Sequence, residues 1–349
     1  MSQTSKQVRF GVIGCGVIAY WYHLRELRTL TGARIVAIAE SDAAARGRAH
    51  RLTGAAALKN ADELLRRDDV DAVIISAPTY LNAGLAISAA RAGKHVYVEK
   101  PGAITRLEAL QVQEAIRQAD VRAMIGFNRR YHPLCKHART LIAAGAIGSV
   151  RSVLSTFCEP IPAETMPAWK RRRSTGGGVL LDLACHHVDL LRWFLHDEIA
   201  EVGARIASRV TEHDQAWLEL RTCQGVESRS FFSFRTGRAD WLEFAGESGT
   251  LRVDRHRCTL SLRVSRRFGY GVRSAFPFPS MDLLRWWGVR LLRPSYEPSY
   301  RLALSAFVDS IQGKKTEIAS LEDGLQSVNV LFAAEESPQP GESLPVLQS

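Results

Sequence analysis

Asp182, His186 and Asp189 stand at i, i+4 and i+7, a spacing that puts three side chains on one face of a helix. A histidine beside a carboxylate is the arrangement of a tuned general base. Gly176-Gly177-Gly178 precede them and let a ligand come close to the backbone. His187 falls about 140° from Asp182 around a regular helix and turns elsewhere. Asp182 and His186 could also ligate a metal, but no third ligand stands at a recognisable spacing, so the expectation is no metal. Upstream, the apolar run His95–Val98 enters Glu99-Lys100-Pro101. A lysine at the C-terminal edge of a parallel sheet can hydrogen-bond a hydroxyl or carbonyl and stabilise developing negative charge there.

A third group stands at the start of the chain. Val8–Ile13 ends at Gly14-Cys15-Gly16-Val17-Ile18-Ala19, a G-x-G-x-x-A turn between a strand and a helix. Gly14 makes the tight turn, Gly16 lets the backbone approach a pyrophosphate, and Ala19 keeps the helix close to the sheet. The helix start offers free N–H groups to phosphate. Glu40 ends the second strand, 21 residues after Ala19. Its carboxylate can accept from ribose hydroxyls and repel a 2′-phosphate, which favours NAD over NADP. Ser41 follows where an arginine clamp for that phosphate would stand, and Asp42 caps the next helix.

These groups need elements to hold them. Apolar runs at Val8–Ile13, Arg34–Ala39, Asp71–Ala77, His95–Val98 and Arg122–Phe127 alternate with helical patterns at 17–30, 42–52, 82–92 and 106–119. That alternation predicts βαβ units and a parallel sheet. After residue 127 the pattern changes. Strand-like runs at 150–158, 201–208, 216–222, 229–234, 241–245, 251–253 and 259–264 interleave with helical runs at 179–195, 300–312 and 321–335, and 344–347 reads as a last short strand. The expected class is α/β, a Rossmann dinucleotide-binding domain over 1–126 followed by an α+β domain over 127–349.

Composition narrows the classes. The chain has 349 residues, with 46% hydrophobic and 23% charged residues, an ordinary globular balance. No run of about 18 apolar residues suggests a membrane span, and the N-terminus lacks the apolar core of a secretory signal. The six cysteines form no Cys-x-x-Cys pair and read as reduced thiols of a cytoplasmic protein. The net charge of +10 is shared evenly, +5 before residue 127 and +5 after it, so no basic tail is attached. Without a nucleic-acid-binding motif the charge does not predict nucleic acid as a partner. Basic residues gather at Lys170-Arg171-Arg172-Arg173 and in residues 252–273, which hold seven arginines and one acid. The first cluster could grip an anionic substrate. The second leads into 281–292, an amphipathic helix bearing Trp286 and Trp287. That region reads first as a subunit interface or a lid, and second, over 252–293, as a contact with an anionic membrane surface.

The chain resembles the glucose–fructose oxidoreductase / inositol dehydrogenase (Gfo/Idh/MocA) family. The resemblance rests on 11–19, on Ala-Gly-Lys-His-Val-Tyr-Val-Glu-Lys-Pro at 92–101, on Gly-Phe-Asn-Arg-Arg-Tyr at 126–131, on 176–189, and on 307–311 and 322–324. It implies a Rossmann domain, a second domain on a large, mostly antiparallel sheet, and hydride transfer between nicotinamide and a sugar, sugar nucleotide or cyclitol. By resemblance, Lys100, Asp182 and His186 are catalytic. The cofactor would meet Gly14, Gly16, Val17, Ile18, Ala19, Glu40, Ser41, Ala77, Pro78, Asn82, Glu99, Lys100 and Asn128. The substrate would meet Lys100, Arg129, Lys170, Arg172, Asp182 and His186. Asn82 stands where a histidine is common, Ala184 where a glycine is usual, and His187 is atypical. Two other functions share the framework: NAD-dependent cleavage of glycosides through transient oxidation, and dinucleotide sensing without catalysis. A homodimer or homotetramer is the expected assembly.

Overall fold

The run Val8–Ile13 is β1, followed by β2 (Ala33–Ala39), β3 (Ala56–Leu58), β4 (Ala72–Ile75), β5 (His95–Val98) and β6 (Ala123–Ile125). The computed structural model describes residues 7–265, 272–275, 279–293, 296–337 and 344–345. These six strands pair in the order β3-β2-β1-β4-β5-β6, each pairing parallel. This is the doubly wound order, with its reversal between β1 and β4, where such sheets bind ligands at the strand ends. β4 is buried at all four positions, as a strand covered on both faces must be.

The helices between them are α1 (Leu24–Thr29), α2 (Ala43–Thr53), α3 (Ala61–Leu65), α4 (Thr79–Arg91) and α5 (Arg106–Ala119). Asp42 caps α2 as expected, its side chain accepting from Ala45 N–H at 2.7 Å. Two expectations needed correction. β3 and α3 were not expected, because three and five residues are too few to show a period. α4 begins at Thr79 rather than Asn82, directly after Pro78.

The later part of the chain begins with α6 (Pro133–Ala143), a helix the sequence reading did not anticipate. Its start is well marked: Pro133 takes the first position and the His132 side chain accepts from Leu134 N–H at 3.2 Å, the Pro-first pattern of helix N-termini. There follow β7 (Val150–Cys158), α7 (Cys185–Leu195), β8 (Ile199–Ala207), β9 (Gln215–Thr222), β10 (Glu227–Ser233), β11 (Ala239–Gly246), β12 (Gly249–Asp254), β13 (Thr259–Ser265) and β14 (Val272–Ala275). Last come α8 (Met281–Leu292), α9 (Ser299–Ile311), α10 (Leu321–Glu336) and β15 (Leu344–Pro345). The nine strands form one sheet in the order β14-β13-β12-β11-β7-β10-β9-β8-β15. Among the described residues its one parallel pairing is β10 with β7. Arg266 and Arg267 of the basic segment 252–273 and residues 346–347 of the expected last strand lie outside the described residues.

Two compact units result. One holds Met1–Asn128, Ser174–Gly176 and Ser299–Leu325; the other holds Arg129–Arg173, Gly177–Pro298 and Gln326–Ser349. Ser299–Leu325, read from sequence as part of the second domain, belongs to the first unit. In that unit Phe307 of α9 packs on Phe10 and Tyr97, with ring centroids 6.2 Å and 5.8 Å apart.

The second sheet alternates, with Ala216, Leu218 and Leu220 inward and Trp217, Glu219 and Arg221 outward along β9. In β11 the inward set is Asp240, Leu242 and Phe244, so a carboxylate occupies a core position. Arg129 and Arg255 neutralise it at 2.9 Å and 2.7 Å. His187 Nε2 lies 3.2 Å away, and Glu297 meets the far side of Arg255 at 2.8 Å. Burial pushes the Asp240 carboxyl up, but the two guanidiniums and His187 outweigh it and hold it well below the usual range. α8 packs nearby through Leu283 and Trp286, the latter edge-on to His132 at 4.8 Å. Met281, Leu284, Leu291 and Leu292 of α8 are exposed. Replacing Asp240 by Ala leaves two guanidiniums buried without their shared counter-ion, so it is expected to cost about 3–5 kcal/mol. Chemical denaturation would read this as a lower midpoint at constant slope, whereas an unchanged midpoint would show that the cluster carries no stability.

Candidate active site

The first unit builds a cradle at the end of β1. Gly14 has φ +85°, and a Cβ there would meet Ser76 O at 2.4 Å, so glycine alone fits. In front of Gly16 there is open space, with no atom within 4 Å of a Cβ position. Val17 and Ile18 follow with 72% and 37% of their surface exposed. Ala19–His23 winds as a π-helical turn before α1, a widened turn that often marks functional sites. The N–H groups of a first helical turn have no intrahelical acceptor. The Glu40 carboxylate is fixed by Cys15 N–H at 2.7 Å and Asp42 N–H at 3.0 Å, with Ser41 Oγ at 3.3 Å. Burial, with Glu40 adding to it, pushes the Cys15 thiol up to about 12, which leaves it uncharged and inert. The space before Gly16, the exposed apolar pair and the fixed carboxylate suit a dinucleotide: pyrophosphate on the turn and ribose on Glu40.

Two contacts here had no sequence signal. Arg46 of α2 reaches back so that Nη1 donates to Glu40 O at 2.6 Å and Ser41 O at 3.1 Å. His23, with no exposed surface, holds Glu99 Oε1 at 2.7 Å through Nε2 and lies edge-on to Tyr97 and Tyr300. The residue before Lys100 is thereby tied to the helix that follows the glycine turn.

The other expected cofactor residues of this unit fall at strand ends. Ala77 and Pro78 follow β4 and are half-buried. Asn82 is buried and donates to Glu99 O at 3.2 Å, while its Oδ1 has no partner. Lys100 directly follows β5 and Glu99. The Asn128 amide is committed to Ser299 Oγ at 2.7 Å.

The second unit carries Asp182 and His186. Leu180–Ala184 is a π-helical turn that runs into α7. The regular helix expected over 179–195 therefore starts wide, and the angular offsets read from a uniform helix do not hold across it. Lys170 and Asp182, both expected at the substrate, are brought together: Nζ to Oδ2 is 2.5 Å. Gly177 lies against Lys170 and Arg172, where a Cβ would meet Lys170 O at 2.3 Å. His186 heads α7, 7% exposed, with Phe157 at 6.3 Å.

Asp189 does not join the Asp182 pair. It is buried and takes a bidentate grip from Arg130, Nη2 to Oδ1 at 2.5 Å. His187, expected only to turn away from the Asp182 face, turns into the core. It stacks on Phe157, bonds Ser155 Oγ at 3.1 Å and meets Asp240; burial pushes its pKa down, so it is neutral. Arg129, expected at the substrate, is buried with its guanidinium 3.8 Å over Phe157 and bonded to Asp240. Arg172 is exposed. Arg171 donates to Met166 O, and Arg173 pairs with Glu335. Among the described residues no cluster of three histidine, cysteine or acidic side chains is placed to hold a metal.

Comparison with known proteins agrees with this architecture. A family model for oxidoreductases with an NAD-binding Rossmann fold matches residues 8–127, and a GFO/IDH/MocA C-terminal domain model matches 135–252. Myo-inositol 2-dehydrogenase of Thermotoga maritima is 27% identical over 340 residues, covering 95% of this chain and 96% of that protein. A dTDP-3,4-didehydro-2,6-dideoxy-alpha-D-glucose 3-reductase of Actinomadura kijaniata is 31% identical over 256 residues, 71% of this chain and 75% of that one. Among solved structures, an oxidoreductase domain protein from Kribbella flavida matches with a TM-score of 0.86 at 28% identity, over 98% of this chain and all of that one. With both halves matched, the chain belongs to the GFO/IDH/MocA family of oxidoreductases, whose Rossmann domain binds NAD.

Proposed function

We propose that the chain moves a hydride between NAD and a secondary hydroxyl or ketone of a sugar, sugar nucleotide or cyclitol, with Lys100, Asp182 and His186 as its catalytic residues. The relatives named as inositol dehydrogenase and sugar-nucleotide reductase support the substrate class. The observation that carries the residue roles is the Lys170–Asp182 pair one turn before His186. It orients a carboxylate one helical turn before a histidine that is nearly buried, a setting that suits an imidazole exchanging protons with a bound hydroxyl.

The nicotinamide, when bound, supplies the acceptor or donor of the hydride. The protein's part is the proton and the geometry. His186 takes the proton from the substrate hydroxyl as the carbinol carbon is oxidised, and returns it in reduction. Asp182 accepts a hydrogen bond from the substrate and steadies the imidazolium. Lys100 donates to the reacting oxygen and stabilises its partial negative charge. Lys170 serves through Asp182, and Arg172, two residues after Lys170 and exposed, would meet an anionic group on the substrate.

NAD is the expected cofactor, since the Glu40 carboxylate stands where a 2′-phosphate would add charge. The exposed outward residues Leu154 and Trp217 of the second sheet give two copies an apolar face to bury, which favours a homodimer or homotetramer. A reducing compartment such as the cytoplasm suits six free thiols, four of them buried.

Lys100→Ala and His186→Ala are each expected to lower kcat/KM by about 10²- to 10⁴-fold while NAD binding, read by fluorescence, stays within a few-fold. Turnover retained in both variants would remove these residues from the chemistry. Reduced cofactor should accumulate one-for-one with product; recycling without accumulation would instead favour glycoside cleavage through transient oxidation. Glu40→Ser is expected to raise the NADP-to-NAD ratio of kcat/KM by about 10- to 100-fold, the worth of one or two hydrogen bonds to a charged group. Arg46, at the Glu40 and Ser41 carbonyls, is then placed to meet the 2′-phosphate, and adding Arg46→Ala should cancel the gain. An unchanged ratio in Glu40→Ser would place cofactor selection elsewhere.

A further inference from the structure

A cavity of about 390 Å³ opens in the second unit between residues 160–166 and 210–214. Pro160, Ile161, Pro162, Met166 and Phe234 give it apolar walls. The walls are fixed in advance. Asp214 is buried, and its carboxylate accepts from the backbone N–H groups of Arg209, Val210 and Thr211 at 3.1, 2.7 and 3.3 Å. The opposite wall is tied to the end of β10, where Ile161 N–H donates to Phe234 O and Glu159 N–H to Ser233 O, each at 3.0 Å.

The 210–214 loop and Phe234 both border the start of the Asp182 helix. Val179 N–H donates to His213 O at 2.8 Å, directly beside Asp214. Lys170 Nζ, which pairs with Asp182, lies 5.5 Å from the centre of the Phe234 ring. Phe234 is thus shared by the cavity and by the ion pair at the catalytic carboxylate.

We propose that this cavity is a subsite for a neutral, ring-shaped substituent on the reacting sugar, so that within the substrate class proposed above a glycoside is preferred to the free sugar and to a nucleotide conjugate. The proposal rests on the reading of Asp182 as the substrate-facing carboxylate. Two features select the ligand. Proline, isoleucine and phenylalanine walls pack against an aryl ring or against the C–H face of a second sugar. The charge is wrong for a diphosphate. The cation of the lining, Arg235, has Asp214 at 3.8 Å, and the remaining charged lining residue is Glu164. A phosphate would meet more negative than positive charge there.

The test compares, for the sugar that the enzyme turns over best, the free sugar, its phenyl glycoside, its disaccharide and its nucleoside-diphosphate conjugate. Reduced cofactor is followed in wild type and in Ala163→Trp, which fills the cavity from a lining position that is none of Lys100, Asp182 or His186. Thr211→Trp fills it from the other wall and serves where the first variant does not fold. Phenyl glycoside or disaccharide is expected to exceed the free sugar in kcat/KM by about tenfold or more in wild type. The filled variants should lose that preference while free-sugar turnover stays within about twofold. Of the two, the better substrate identifies the occupant as aglycone or second sugar. Equal rates for free sugar and both glycosides, a preference for the nucleotide conjugate, or equal losses on all substrates in the filled variants would overturn the proposal. Calorimetric binding of the phenyl glycoside, abolished by Ala163→Trp, gives a readout that does not depend on turnover. Binding without oxidation would count against the catalytic assignment and leave the subsite standing, and no binding to wild type would remove the subsite.

Discussion

A carboxylate at a core-facing position of β11 constrains the second unit more than any apolar contact does. Asp240 is largely buried, so its charge must be met chiefly from inside. It is met by Arg129 from the turn before α6, by Arg255 from the end of β12, and by the neutral imidazole of His187 from α7. Three separate stretches of chain are thereby referred to one point. A fourth is added through Glu297, which shares Arg255. Such clusters contribute little net stability compared with apolar packing of the same volume. Their value lies in geometry, because a misplaced arginine leaves a bare charge. His187 is the residue next to His186, so the anchor of α7 sits one position from the proposed base. Phe157 is held between Arg129 and His187 and also faces His186. The proposed base is therefore positioned by groups that take no part in proton transfer.

The first unit solves its positioning problem differently, through backbone geometry. The Gly14 turn is pressed against Ser76 O, which locks the end of β1 to the end of β4. The Cys15 N–H holds Glu40 at the end of β2, and His23 holds Glu99 at the end of β5. Four strand ends are thus referred to the glycine turn and the helix it opens. A dinucleotide resting on that turn would contact a set of groups already fixed relative to one another, which limits the ordering cost of binding.

The legible parts of this chain were those whose meaning is local. The glycine turn, Glu40, the Glu-Lys-Pro corner and the Asp182–His186 helix announce themselves because a strand end or helix start next to a particular side chain is a short-range fact. The alternation of strands in both sheets was readable for the same reason. Arg46, His23 and Asp240 were not, since each acquires its role from a partner distant in sequence or from the direction of a side chain on a strand of unknown pairing. Asp240 was the hardest: an isolated Asp beside Trp241 reads as solvated until β11 is seen to pair with β7 and its alternation is fixed. The two π-helical turns were hidden as well. They change helix geometry by one residue, and no residue type demands them.

Charge shows the same limit in a sharper form. From sequence, the +10 excess and the run Lys170–Arg173 suggested a cationic mouth for an anionic substrate. In the fold, Lys170 is spent on Asp182, Arg171 on a backbone carbonyl and Arg173 on Glu335. The Glu335 carboxyl, pushed up by burial, is brought below its ordinary range by bonds from His213 and Arg173, which marks that pair as a fixed brace rather than a free grip. Arg130, Arg192 and Arg255 are likewise committed to Asp189, Glu198 and the Asp240 cluster. A surplus counted along a chain says how many positive charges exist, while the field felt by a ligand depends on which of them have been answered. In the second unit the answered ones lie around the Asp182 helix, and the cavity beside it is lined by more acid than base. The local electrostatics of that cavity thus suit a neutral group, although the whole chain is strongly basic.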